Sequence, residues 1–234
     1  MRRPTLRLTL FAAVLLLALL FSGCGASSAD AGQPAPSPTA LPTQPPRPGT
    51  FYFTTSDGVT LSGEIFGRGK TALIFSNSKG LTMGTWETVA HTMADHGYMS
   101  FLYDYRGLGQ SQGMNLPARR ENDLRAAVAS ARAHGAVKIV LIGSSFGGLI
   151  SASLAQEVHA AAIVLLSAPL RDSGIFLSDD ELRALTVPKL LMTSTNDTSF
   201  INDTKHIYDM SPQPKQILVY PGRDHGMAIL MLDH

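Results

Sequence analysis

The sequence predicts an α/β fold: a mostly parallel, eight-stranded sheet flanked by helices. Three observations carry that expectation. From residue 71 onward, short apolar runs alternate with segments of helical spacing, and such alternation implies right-handed crossovers and a parallel sheet covered on both faces. Before them, two β-rich runs flank Asp57-Gly58, a hairpin signal that adds antiparallel strands at one edge. The length, 234 residues, is enough for one sizeable core.

Each element follows in order. "FYFTTSD" and "VTLSGEIFG" form the hairpin, and "TALIFSN" is a buried strand. In "TWETVAHTMADHG", Trp86, Val89, Ala90 and Met93 recur at helical spacing, and Gly97 is a C-terminal stop. "YMSFLYDYRG" is the next strand, and "ARRENDLRAAVASARAHG" is an amphipathic helix ending at Gly135. "KIVLIG" is a strand and "GGLISASLAQEVH" a helix. "AAIVLLSA", "KLLMTST" and "KQILVYP" are three further strands, with short helices "SDDELRAL" and "INDTKHIYDM" between them and a short last helix in "GMAILMLDH". Residues 51–234 therefore read as one domain.

The first 50 residues have a different texture. Arg2, Arg3 and Arg7 precede an apolar stretch from Leu8 to Phe21, and small residues lead into Cys24. That is a secretory signal layout, and the apolar stretch is short of a bilayer span of about 20 residues. "FSGC" resembles the lipobox of bacterial lipoproteins, with Phe21 where Leu is usual; the resemblance implies a signal peptide over 1–23 and acylation of Cys24. The other readings are a secreted form cut after a small residue such as Ala29, or an uncleaved anchor. Between Ala26 and Thr50 lie seven of the fourteen prolines and almost no large apolar residues. That composition cannot bury enough surface to order itself, so 24–50 reads as a lipidated Cys followed by a semi-extended linker. The expected location is the cell envelope, outside the cytoplasmic membrane, with the lipid holding the chain to it.

Composition narrows the function. The formal net charge is +1 with 16% of residues charged, and without the segment before Cys24 it becomes −2. Nothing there is the footprint of a nucleic-acid binder. Cys24 is the sole cysteine, which excludes an intramolecular disulfide and a Cys/His metal cluster. No metal or organic cofactor is implied, and no oligomeric state.

The chemistry gathers around "GSSFG". It fits G-x-S-x-G only with Ser145 central, Ser144 filling the variable slot. The pattern alone arises by chance in roughly one chain in ten of this length; its position between an apolar strand and a helix gives it weight. A serine hydroxyl is a weak nucleophile and needs a base and an orienting acid. His225, in "YPGRDHGM" past the last strand, is the candidate base. His159 and His206 read as surface groups. Asp197, just beyond the carboxyl end of "KLLMTST", is the candidate acid, with Asp203 in reserve and Asp172 weaker. Asp224 reads as a loop-anchoring ion pair. The oxyanion donors are expected in the backbone N–H of Phe146 and in the loop Ser76-Asn77-Ser78-Lys79-Gly80.

These residues resemble the α/β-hydrolase superfamily over essentially Phe51 to the C-terminus. "GSSFGG", "STND" and "GRDHG" match its nucleophile, acid and histidine segments in order, and "YDYRGLGQSQG" is similar to a structural turn common there. The loop after the third strand usually begins His-Gly; here it is Ser76-Asn77, and the resemblance assigns the second oxyanion N–H to Ser78. Only about 20 residues separate "LLSA" from "KLLM", which implies a minimal cap and an open site. Met83, Met99, Met114, Trp86 and Phe176 are candidates for an apolar pocket, against a burial preference that puts most such residues in the core. The resemblance implies a serine hydrolase of carboxylesterase or thioesterase type acting on a small-molecule ester. The alternatives are a catalytically silent binding protein on the same fold, or a peptidase or acyltransferase using the same triad.

Overall fold

The computed structural model describes residues 49–231. The signal peptide over 1–23, acylation at Cys24, most of the linker and the last three residues lie outside the described residues.

The hairpin forms as the Asp57-Gly58 signal requires. β1 (Phe51–Thr54) pairs antiparallel with β2 (Thr60–Phe66). β2 runs antiparallel to β4 (Met99–Tyr103), which is parallel to β3 (Thr71–Ser76). β5 (Lys138–Ser144), β6 (Ala162–Leu166), β9 (Lys189–Ser194) and β10 (Lys215–Tyr220) continue in parallel. The eight-stranded order is β1-β2-β4-β3-β5-β6-β9-β10.

Residues of successive strands alternate between two cores. Leu73, Phe75, Val140 and Ile142 face α1 (Glu87–Asp95), whose Ala90 and Met93 are buried with them. Ala72, Ile74, Ile139 and Leu141 face α2 (Arg120–Ala133) and α3 (Phe146–Leu154). A strand buried on both faces needs apolar residues on both, which residues 72–75 and 139–142 supply after a half-buried Thr71 and Lys138.

Order of connection decides where the site sits. From β3 the chain returns through α1 to β4 on one side; from β4 it crosses through α2 to β5 on the other side of β3. The loops after β3 and β5 therefore part at a topological switch point, where open α/β sheets leave a crevice at the carboxyl ends of their strands.

Three local features depart from the sequence reading. α3 stops at Leu154 because the chain turns: His159 N–H donates to Gln156 O, Ala160 N–H to Ala155 O, and His159 takes a φ of 50°. The cap segment holds an extra two-stranded hairpin, β7 (Arg171–Asp172) with β8 (Ile175–Phe176). Its turn residues Ser173 and Gly174 have φ of 52° and 85°, the conformation that two-residue hairpin turns favour. After it comes α4 (Asp179–Ala184), opened by a capping box between Ser178 and Glu181. α5 (Ile201–Met210) follows β9. The end of the described chain is a 3-10 turn, Gly226–Leu230, and not an α-helix.

Candidate active site

β5 runs straight into the elbow. Ser145 has φ 52° and ψ −118°, a conformation that costs an L-residue of order 1–3 kcal/mol and persists only where its surroundings over-determine it. They do so here. Ser145 N–H donates to Leu166 O at 2.8 Å, and Ser145 O accepts from Gly148 and Leu149 N–H. A Cβ at Gly143 would overlap the Gly147 carbonyl, and one at Gly147 would overlap the Ser76 backbone. Both glycines are therefore required by close approach, and the elbow is packed directly on the loop after β3.

That loop is anchored by the residues that replace His-Gly. Ser76 Oγ lies 2.9 Å from Tyr103 Oη, and Asn77 Nδ2 donates to Tyr103 O at 2.8 Å. Asn77 is fully buried. Its side chain thus ties the loop to the end of β4, and the loop's shape does not depend on a glycine at this position. Among the described residues, no acceptor is paired with the Ser78 N–H. Phe146 opens α3, so its N–H has no intrahelical partner, and the α3 N-terminus favours negative charge beside it.

Asp197 and His225 come together. His225 Nδ1 is 2.9 Å from Asp197 Oδ2. Asp197 is 7% exposed and His225 36%, so the carboxylate is enclosed while the imidazole keeps an open edge. Phe200 lies against the imidazole with ring centres 4.2 Å apart. The loop carrying His225 reaches the elbow itself, because Met227 N–H donates to Ser144 Oγ at 2.8 Å. Among the described residues, Ser145 Oγ has no hydrogen-bond partner. The three segments named from the sequence are therefore gathered at the carboxyl ends of β5, β9 and β10.

The remaining candidates do other work. Asp203 Oδ2 accepts from Leu170 N–H at 2.9 Å and fixes the start of the cap segment. Asp172 pairs with Lys79 Nζ at 2.7 Å, joining the β7–β8 hairpin to the loop after β3. Burial opposes the charged Asp172, yet bonds from Lys79 and Ser173 and the charges of Lys79 and Arg120 hold its carboxyl below the usual range. His206 pairs with Asp179 on α4 at 2.7 Å. Asp224 has no ion pair among the described residues, so it does not anchor its loop as expected. Met83, Met99 and Trp86 are core residues; Met114 and Phe176 are exposed. A cavity of about 470 Å³ lined by Phe51, Arg68, Lys70, Met99 and His134 sits at the amino ends of the parallel strands, away from these groups.

Sequence reasoning missed two positions. Arg120 is fully buried, with its guanidinium carbon 4.5 Å from the Tyr105 ring centre and 5.4 Å from that of Phe146. Lys79 Nζ lies 5.9 Å from the same Phe146 ring. Two cations thus flank the residue after the elbow serine. Burial pushes the Arg120 pKa down. The Lys79 position was legible from its place beside Ser78; Arg120 carried no signal, since an arginine opening an amphipathic helix ordinarily faces solvent.

Residues 68–176 match the family described as serine aminopeptidase, S33. The protein YfhR of Salmonella typhimurium is 26% identical over 216 residues, spanning 75% of this chain and 74% of its own. The polyketide transferase grgF of Penicillium sp. is 31% identical over 136 residues, 52% of this chain and 45% of its own. The esterase Pf2001 of Pyrococcus furiosus superposes with a TM-score of 0.66 at 19% identity, covering 74% of this chain and 81% of that one. The chain therefore has the α/β-hydrolase fold, with its middle portion similar to the S33 serine aminopeptidases.

Proposed function

We propose that this chain is a serine hydrolase that cleaves carboxylic esters or thioesters. The observation that carries the reading is the Asp197–His225 hydrogen bond, with the His225 loop bonded to Ser144 beside the strained Ser145. Ser145 Oγ attacks the acyl carbonyl while His225 Nε2 takes its proton. Asp197 holds the imidazole in the tautomer with Nδ1 protonated and offsets the cation that forms. The N–H groups of Phe146 and Ser78 receive the oxyanion. His225 then returns the proton to the departing alcohol or thiol, leaving an acyl-Ser145. Water adds to the acyl carbon with His225 again as base, and the carboxylic acid leaves as Ser145 regains its proton. The shared fold of the solved esterase supports this reading.

An acyltransferase is the second reading, favoured by the similarity to grgF. The same acyl-Ser145 would be taken by an alcohol or amine in place of water. Hydrolysis of p-nitrophenyl esters of graded chain length separates the readings: turnover by the wild type and none by Ser145→Ala supports the hydrolase. Slow p-nitrophenol release that an added alcohol accelerates, with formation of a new ester in place of the acid, favours the transferase. No turnover of any ester by the wild type contradicts both and leaves the silent binding protein.

The N-terminal sequence supports export and anchoring by lipid on Cys24. Metabolic labelling with a radioactive fatty acid is expected to mark the wild type and not Cys24→Ser; label on neither contradicts the anchor.

A further inference from the structure

Ser144 fills the variable slot of the elbow motif, and its surroundings give that slot a task. The residue is 1% exposed. Its Oγ accepts the Met227 N–H at 2.8 Å, two residues beyond His225. The same Oγ lies 2.8 Å from Ser78 Oγ, and Ser78 Oγ reaches Ser144 O at 3.4 Å. Accepting from Met227 uses one lone pair of Ser144 Oγ and leaves its proton and second lone pair, so either hydroxyl can donate across the Ser144–Ser78 contact. Gly226, between His225 and Met227, is fitted to this arrangement: a Cβ there would overlap Ser144 Oγ. The Gly226 N–H is itself held by Ser167 Oγ at 3.1 Å. Loops following β3, β5 and β10 therefore converge on one buried hydroxyl. Nothing in the sheet requires it, since Ser144 is already paired with Leu166 in the β5–β6 ladder.

We propose that Ser144 is a positioning residue: its hydroxyl pins the loop of His225 to the loop that presents the Ser78 amide. The proposal rests on the hydrolase reading of the site. Ser144 makes and breaks no bond to substrate. It sets the approach of the imidazole to Ser145 and the placement of an oxyanion donor, both of which matter more in the transition state than in the bound ester. Its loss should therefore lower kcat and leave KM nearly unchanged. Ser78 Oγ acts on the His225 loop only through Ser144, so the two hydroxyls should behave as one unit.

The test compares full-length wild type, Ser144→Ala, Ser78→Ala and the double variant by three measurements: kcat and KM on one p-nitrophenyl ester, amide exchange at Met227, and melting temperature. Ser78→Ala touches only a half-buried position and guards against a Ser144 variant that fails to fold. The expected result is an approximately tenfold fall in kcat for Ser144→Ala. Met227 exchange should rise by about as much, and the double variant should be no slower than Ser144→Ala. Wild-type kcat and wild-type Met227 exchange in Ser144→Ala would overturn the proposal. So would kcat losses in the single variants that multiply in the double. If the wild type turns over no ester, the hydrolase reading fails, and Met227 exchange alone decides the pin: protection lost in Ser144→Ala upholds it, protection kept overturns it.

Discussion

Two glycine-rich turns leave the sheet on either side of β3, and they spend their polar groups in opposite ways. In the turn after β4, Asp104 accepts from Met83 N–H at 2.7 Å and from Ser62 Oγ at 3.2 Å. Arg106 is 3% exposed and grips Asp57 with two nitrogens, at 2.7 and 2.9 Å, and Asp123 with Nε at 2.8 Å. Its backbone N–H also donates to Asp123. In the turn after β5, Ser145 Oγ has no partner among the described residues and its backbone is strained. Both turns look alike as sequence: glycines, small residues and a polar centre. Where the hydrogen bonds go distinguishes them. A buried polar group that is fully paired builds structure. One left facing outward from a backbone held rigid by its neighbours is available for chemistry.

Substitutions that separate the two turns should break activity in one and stability in the other. The largest effect is expected from Ser145→Ala, which removes the proposed nucleophile. Ester turnover should fall by about a thousandfold or more, with the melting temperature kept, since no side-chain bond is lost. Next is Arg106→Met. It strands Asp123, which is fully buried, and should cost about 3–5 kcal/mol in denaturant unfolding, while the folded fraction retains its kcat.

Asp57→Asn sharpens the comparison from the β1–β2 hairpin, where Asp57 is held by Arg106 of the first turn. The pKa values of the two carboxylates on Arg106 are shifted in opposite directions. The Arg106 hydrogen bonds pull the Asp57 carboxyl well below the usual range, while burial pushes Asp123 up despite the same guanidinium. Asp57 keeps part of its hydration, with a third of its side chain exposed, and Asp123 keeps none. A carboxyl depressed on folding adds stability that is complete above its unfolded pKa of about 3.9 and is lost as pH falls below it toward the folded value. The Asp57→Asn deficit should therefore be about 1 kcal/mol near pH 7 after allowance for solvent screening, and should shrink as acid unfolding is followed below pH 4. A deficit that does not change with pH would mean that the charge is not the source. Lys79→Ala, which opens an exposed pair with Asp172, should change stability by less than about 1 kcal/mol.

Much of this was legible in the sequence because it depends on local chemistry. The hairpin at Asp57-Gly58 and the alternating strands and helices follow from spacing and turn residues, whereas Asp197 and His225, which lie 2.9 Å apart, were singled out by the resemblance and its chain order. The cap hairpin was missed although Ser173-Gly174 is a turn signal, because two-residue strands have no periodicity to detect. The task of Ser144 was hidden for a different reason. Its partners, Ser78 and Met227, lie 66 and 83 residues away in the chain, and only the fold brings them together. Arg120 belongs to the same class: nothing local indicates that an arginine opening an amphipathic helix is enclosed by Tyr105 and Phe146. Asp224 shows the converse, since its neighbourhood in sequence suggested an ion pair for which the structure provides no partner among the described residues.

Treating the full-length chain with a fluorophosphonate and mapping the adduct by peptide mass spectrometry tests directly the proposed role of Ser145 as a nucleophile activated by the Asp197–His225 pair. A single adduct on Ser145 is expected in the wild type, with labelling slowed by about a hundredfold or more in His225→Ala. An adduct on another residue, no adduct at all, or labelling indifferent to His225 would contradict it.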